Sequence, residues 1–145
     1  MGEEAACIFC EIASGRGEAS VVRREETATA FMDIHPVVPG HTLVVPNSHS
    51  SGVSGVNNED GSALFSLARR VATALKGTEM KCEGTNLIIA DGRVAGQTVF
   101  HTHMHVIPRH RGDGFAMKID PGSRGAPTRE TLDQQASLIA ALLDY

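Results

Sequence analysis

The sequence predicts an α+β domain built on an antiparallel sheet, and three observations carry that prediction. Short β-branched runs follow one another at hairpin spacing, one long stretch repeats apolar residues at helical spacing, and a second helical pattern closes the chain. With 145 residues, the chain is read as one domain over 1–145. A chain of that size removes roughly 68–70% of its unfolded surface from water, enough for a core without disulfide staples.

The elements follow in order. Residues 8–14 form a short amphipathic helix stopped by Ser14-Gly15-Arg16-Gly17. Strands are expected at Ser20–Arg24 and Ala28–Asp33, turning at Glu25-Glu26. Ile34–Gly40 is a Pro/Gly-punctuated loop that runs into a buried strand at His41–Pro46. After a polar loop (47–55), Asn57-Asn58-Glu59-Asp60 supplies an N-cap and early acidic residues. The helix that follows sets Leu64, Leu67, Ala68, Val71 and Leu75 on one stripe. Thr85–Ala90 and Val99–Pro108 complete about five strands, joined by Asp91–Gly96. Gly112–Gly125 is a long loop. Pro127–Leu143 is the C-terminal helix, with Leu132, Ala136, Ile139, Ala140 and Leu143 on one side.

Composition narrows the function. Thirteen basic against 17 acidic residues give a net charge of -4, which argues against neutralising a nucleic-acid backbone. Aromatics at 4% and no Trp argue against a stacking platform for single strands. No apolar run reaches the ~18–20 residues of a membrane span. The opening Met1-Gly2-Glu3-Glu4-Ala5-Ala6 has neither a basic nor an apolar export region, and Ala6 leaves a myristoylation signal incomplete. A cytoplasmic protein with reduced or metal-bound thiols is expected.

One segment outweighs the rest: Val99-Phe-His-Thr-His-Met-His-Val-Ile-Pro108. In a strand His101, His103 and His105 project to one side, roughly 6.6 Å per step, while Phe100, Met104 and Val106 face the core. A helix would scatter them. A shared face of three imidazoles serves either as a metal cage or as a nucleophile with helpers, and His-x-His spacing alone does not choose. The lead-in Gly96-Gln97-Thr98 favours the second, because Gly admits close backbone approach and Gln and Thr can bond phosphate oxygens. Asp91-Gly92 and Arg109 complete a loop–strand edge suited to an oxyanion.

Gly96-Gln-Thr-Val-Phe-His-Thr-His-Met-His-Val-Ile-Pro-Arg109 resembles the signature of the histidine-triad (HIT) family. So do Cys7-Ile-Phe-Cys-Glu-Ile12, Ala30-Phe-Met-Asp-Ile34 and Pro39-Gly-His-Thr-Leu-Val-Val-Pro46 with its trailing His49. Residues 7 to about 115 carry the likeness, and it is to the bacterial nucleotide-binding hydrolases with a zinc site. The resemblance implies a HIT-like fold, a sheet extended across a homodimer, and a purine-nucleotide hydrolase or nucleotidyl transferase. In that reading His103 attacks the α-phosphorus of a nucleoside phosphoramidate, giving a nucleotidyl-histidine that water hydrolyses. His105 contacts the phosphoryl and leaving groups, and His101 and His41 orient the rings. Gln97 and Thr98 contact phosphate oxygens, Asp33 holds the ribose hydroxyls, and Phe31 and Ile34 line the base pocket. On residue type alone, Phe31 and Ile34 also fit a core and Asp33 a turn cap.

Two departures stand out. Ala90 replaces the family's phosphate-contacting Asn, and Gly17-Glu18-Ala19 replaces its Ile-Pro-Ala. A missing bond to a charged group costs about 1.5–3 kcal/mol, so a nucleotide-binding or scaffolding module with little turnover is the alternative function. Cys7-x-x-Cys10 is by spacing half of a zinc site or a pair of free thiols. The resemblance supplies His49 and His101 as the remaining ligands of a structural zinc. Cys82 reads as a structural or surface thiol, His110 as part of a solvated basic cluster.

Overall fold

A computed structural model of the chain describes residues 6–117, 122 and 124–143. The Met1–Ala5 opening and residues 118–121 and 123 of the expected loop lie outside them. The chain divides into two compact units, 1–115 and 116–145.

The first unit holds α1 (Ile8–Ala13), β1 (Val21–Arg24), β2 (Ala28–Met32), β3 (Thr42–Pro46), α2 (Asn58–Leu75), β4 (Gly84–Ile88) and β5 (Met104–Arg109). Short 3-10 turns interrupt it at Val53–Gly55 and Arg93–Ala95. All five strands are antiparallel in the order β1-β2-β3-β5-β4.

Strand alternation divides the core into two layers. Ala28, Ala30, Val44, Met104 and Val106 meet the α2 stripe of Leu64, Leu67, Ala68, Val71, Ala72 and Leu75. Residues of opposite parity, Phe31, Leu43 and Val45, meet Phe9 and Ile12 of α1 on the other face. His105 has the parity of this second face, since it pairs with Leu43, which pairs with Phe31. The α2 stripe and its cap match expectation: Asn57 Oδ1 accepts the Asp60 N–H at 2.8 Å.

The triad strand is shorter than its composition implies. β5 begins at Met104, so His101 and His103 precede it. Extending the ladder past Val44↔Met104 would bring Thr102 opposite Pro46, which has no N–H to donate. The Ser50 carbonyl takes the Thr102 N–H instead, at 2.7 Å. With the segment bent away, Phe100 is 41% exposed rather than core-facing.

In the second unit α3 (Arg129–Ala140) is capped by Thr128, whose Oγ1 accepts the Thr131 N–H at 3.1 Å. None of its residues is buried. No described helix is long and apolar enough to cross a membrane.

Candidate active site and metal centre

The α1 face of the sheet carries a cleft of about 370 Å³, within the range of small-molecule sites. Ile8, Phe9 and Ile12 form one wall, Phe31 and Leu43 the floor, and Asp33, Ile34 and His35 the rim. Thr98, Val99, His103 and His105 close the opposite end.

Hydrogen-bond partners set the proton positions on the facing rings. The Val37 N–H donates to His41 Nδ1 at 3.2 Å, so His41 carries its proton on Nε2. That Nε2–H donates to His105 Nδ1 at 2.9 Å and lies 3.4 Å from Asp33 Oδ2. His105 is thereby left with Nε2–H as its free donor. On His103 the arrangement is reversed, because Nδ1–H donates to the His101 carbonyl at 2.7 Å and leaves Nε2 with its lone pair. The two rings stand 5.0 Å apart, centroid to centroid. One offers a lone pair and the other an N–H donor.

Burial keeps the partners neutral. It lowers the His105 pKa to about 4, helped by His103 and His41, and it also pushes His41 down against the pull of Asp33. Phe9, one of the two residues between the cysteines of Cys7-x-x-Cys10, packs edge-on against His103 at 5.1 Å and against Phe31 at 5.3 Å. Sequence reading had passed over Phe9 as a site residue. Its signal was there, an aromatic on the apolar side of the short helix.

Cys7, Cys10, His49 and His101 converge, with their donor atoms all within 4.8 Å of one another. His101 Nδ1 lies 3.4 Å from both sulfurs, and His49 Nδ1 lies 3.4 Å from Cys10 Sγ. Tetrahedral zinc at Zn–S ≈ 2.3 Å and Zn–N ≈ 2.0 Å separates S and N ligands by about 3.5 Å, so the group fits. His101 Nε2–H donates to the Pro46 carbonyl at 2.7 Å, which turns the Nδ1 lone pair to the sulfurs as an outer partner should. Burial, then Cys7, pushes the Cys10 thiol up to about 11, a crowding that a bound cation relieves by taking thiolates. Asp33, His41 and His105 also cluster. There the 2.9 Å ring–ring hydrogen bond already accounts for the contact.

Residues 15–112 match the family model described as HIT domain. The chain belongs to the HIT domain family. A HIT family protein from Bacillus anthracis is 38% identical, with a TM-score of 0.86 over 94% of this chain and 96% of that one. A zinc-bound histidine triad family protein from Mycobacterium smegmatis is 33% identical, with a TM-score of 0.74 over 94% and 97%. A HIT family hydrolase from Legionella pneumophila is 31% identical, with a TM-score of 0.63 over 80% and 99%.

Other expected contacts fall differently. Gln97 is buried and its amide is spent on backbone: Oε1 accepts the Gly92 N–H at 2.8 Å, and Nε2 donates to Ser51 and Val99 carbonyls. It fixes the loop rather than facing the cleft. The Asp91 carboxylate accepts the Val53 N–H at 3.0 Å and is thereby tied to the surface loop at Val53–Gly55. Arg109 is occupied by Asp113 and Asn86 at 2.7 Å each, at the far end of β5. Neither belongs to an oxyanion site. Asp33 Oδ1 accepts the His35 N–H at 2.8 Å, the turn-cap reading. Ile34 is 83% exposed, which excludes the core reading.

Proposed function

We propose that the protein is a nucleotidyl hydrolase acting at the α-phosphorus of a nucleoside phosphoramidate or related purine nucleotide. The observation that carries this reading is the complementary pair at the end of the cleft, His103 Nε2 as a lone pair beside His105 Nε2–H as a donor. His103 Nε2 forms a bond to phosphorus as the bond to the leaving nitrogen breaks, and the amine takes its proton from solvent. The His105 N–H stabilises the charge growing on the phosphoryl oxygens. Water then cleaves the phosphorus–histidine bond and frees the nucleoside monophosphate. His41 holds His105 in its tautomer, and the His101 carbonyl holds His103. Of the cleft-lining residues, Thr98 is assigned to the phosphate, Asp33 to the ribose hydroxyls, and Phe31 and Ile34 to the base.

A structural zinc held by Cys7, Cys10, His49 and His101 is part of the proposal, supported by the donor geometry and by the zinc-bound relative. When bound, it would cross-link α1 to the segment ahead of β5 and contribute folding energy directly.

The second reading, nucleotide binding with little turnover, draws on Ala90 and on the committed amide of Gln97, which leave few polar groups for the phosphate. Incubation with an adenosine phosphoramidate separates the two. The hydrolase reading expects AMP release that survives a chelator and disappears in His103→Ala. Tight AMP binding with no release in the unaltered protein would establish the binding module instead.

A further inference from the structure

We infer that Glu18 selects the base, giving this site a preference for guanine over adenine. The inference rests on the nucleotide reading above and deepens it.

Glu18 lines the cleft at the end away from the histidines, and no side-chain partner occupies it among the described residues. Its backbone is held on both sides. Gly17 N–H donates to the Glu11 carbonyl at 2.8 Å, and a Cβ on Gly17 would come within 3.0 Å of the Ile12 nitrogen. Ala19 packs partly buried against the α1-face core. The nearest strand position, Val21, is in register with Phe31, Leu43 and His105 across the sheet. That is three strand steps, about 14 Å at ~4.8 Å per step. A nucleotide with its phosphorus at His103 and its ribose at Asp33 therefore extends its base over Phe31 toward Glu18.

A carboxylate only accepts hydrogen bonds. Guanine presents N1–H and the 2-amino group side by side, a two-point match to its two oxygens. Adenine presents one amino donor beside the N1 lone pair, which the second oxygen repels. Repulsion between Glu18 and the phosphate is screened, since the separation exceeds the ~8 Å Debye length at physiological salt. A good bidentate pair discriminates by roughly 5- to 150-fold, and Glu18's contact with water places the expected preference toward the low end, about five- to tenfold.

The test is calorimetric titration of the full chain with GMP, IMP and AMP, repeated on Glu18→Ala and Glu18→Gln. GMP should bind tightest and AMP weakest, with IMP between because hypoxanthine keeps N1–H and lacks the 2-amino group. Both substitutions should bring GMP and AMP within about twofold of each other. Equal affinities in the unaltered protein, or a GMP-to-AMP ratio unmoved by Glu18→Ala, would overturn the Glu18 assignment and leave nucleotide binding standing. Failure of all three nucleotides to bind would overturn both.

Discussion

At residue scale the chemistry lies in which nitrogen of each ring carries a proton. Val37, His41 and His105 form a chain that ends in an N–H facing the cleft, while His103 turns its lone pair the same way. Removing that donor in His105→Ala should cost about 10²–10³ in the rate of phosphoramidate hydrolysis, the usual loss for one donor to a developing oxyanion. Binding of the product nucleotide should change much less, because the donor acts most strongly on the transition state. Burial of His105 also has a consequence for stability. Its pKa falls from an ordinary ~6.5 to about 4 on folding, so the unfolded chain binds the extra proton first. This contribution is intact above pH ~6.5 and is lost progressively as the pH drops toward 4. Urea melts between pH 7 and 4 should show the midpoint declining over that window, with a shallower decline in His105→Asn.

At element scale the sheet places the site, and α1 closes it. α2 packs on the opposite face and contributes nothing to the cleft, yet it supports the strands beneath. Leu67 is 2% exposed at the centre of that layer, so Leu67→Ala should cost about 2–5 kcal/mol, read from the denaturant midpoint. Gly40 just precedes β3 with φ +94°, and a Cβ there would meet Met80, Pro108 and Leu75 at 3.1–3.2 Å. Gly40→Ala should therefore cost about 1–3 kcal/mol through backbone strain, before any packing adjustment is counted. Because Gly40 adjoins His41, the same variant should also slow hydrolysis, whereas Leu67→Ala at equal folded fraction should not.

At the scale of the whole molecule two expectations remain. Cys10→Ser should lose stoichiometric zinc by elemental analysis and melt at a lower temperature. Retention of full zinc would refute the ligand set. The second concerns assembly. One edge of the sheet is β4, which among the described residues pairs only with β5, and Leu87 on that strand is exposed. An unpaired edge with apolar neighbours favours strand addition by a second copy. Sedimentation is expected to give a dimer, and Leu87→Arg to shift it toward monomer.

Much of this was legible in the sequence. Spacing alone located α2, its Asn57 cap and its buried stripe, and alternation marked the histidine segment, of which His103 and His105 line the cleft while His101 turns to the cysteines. The spacing of Cys7 and Cys10 marked half of the four-residue Cys/His cluster. What the sequence could not carry was anything decided by contacts between distant segments. Pro46 and Ser50 cut the triad strand short, Gly92 and Ser51 claimed the Gln97 amide, and Val37 chose the tautomer that His41 passes to His105. Local periodicity encodes which way a side chain faces. Proton positions and ligand sets depend on partners tens of residues away, and only the folded chain brings those together.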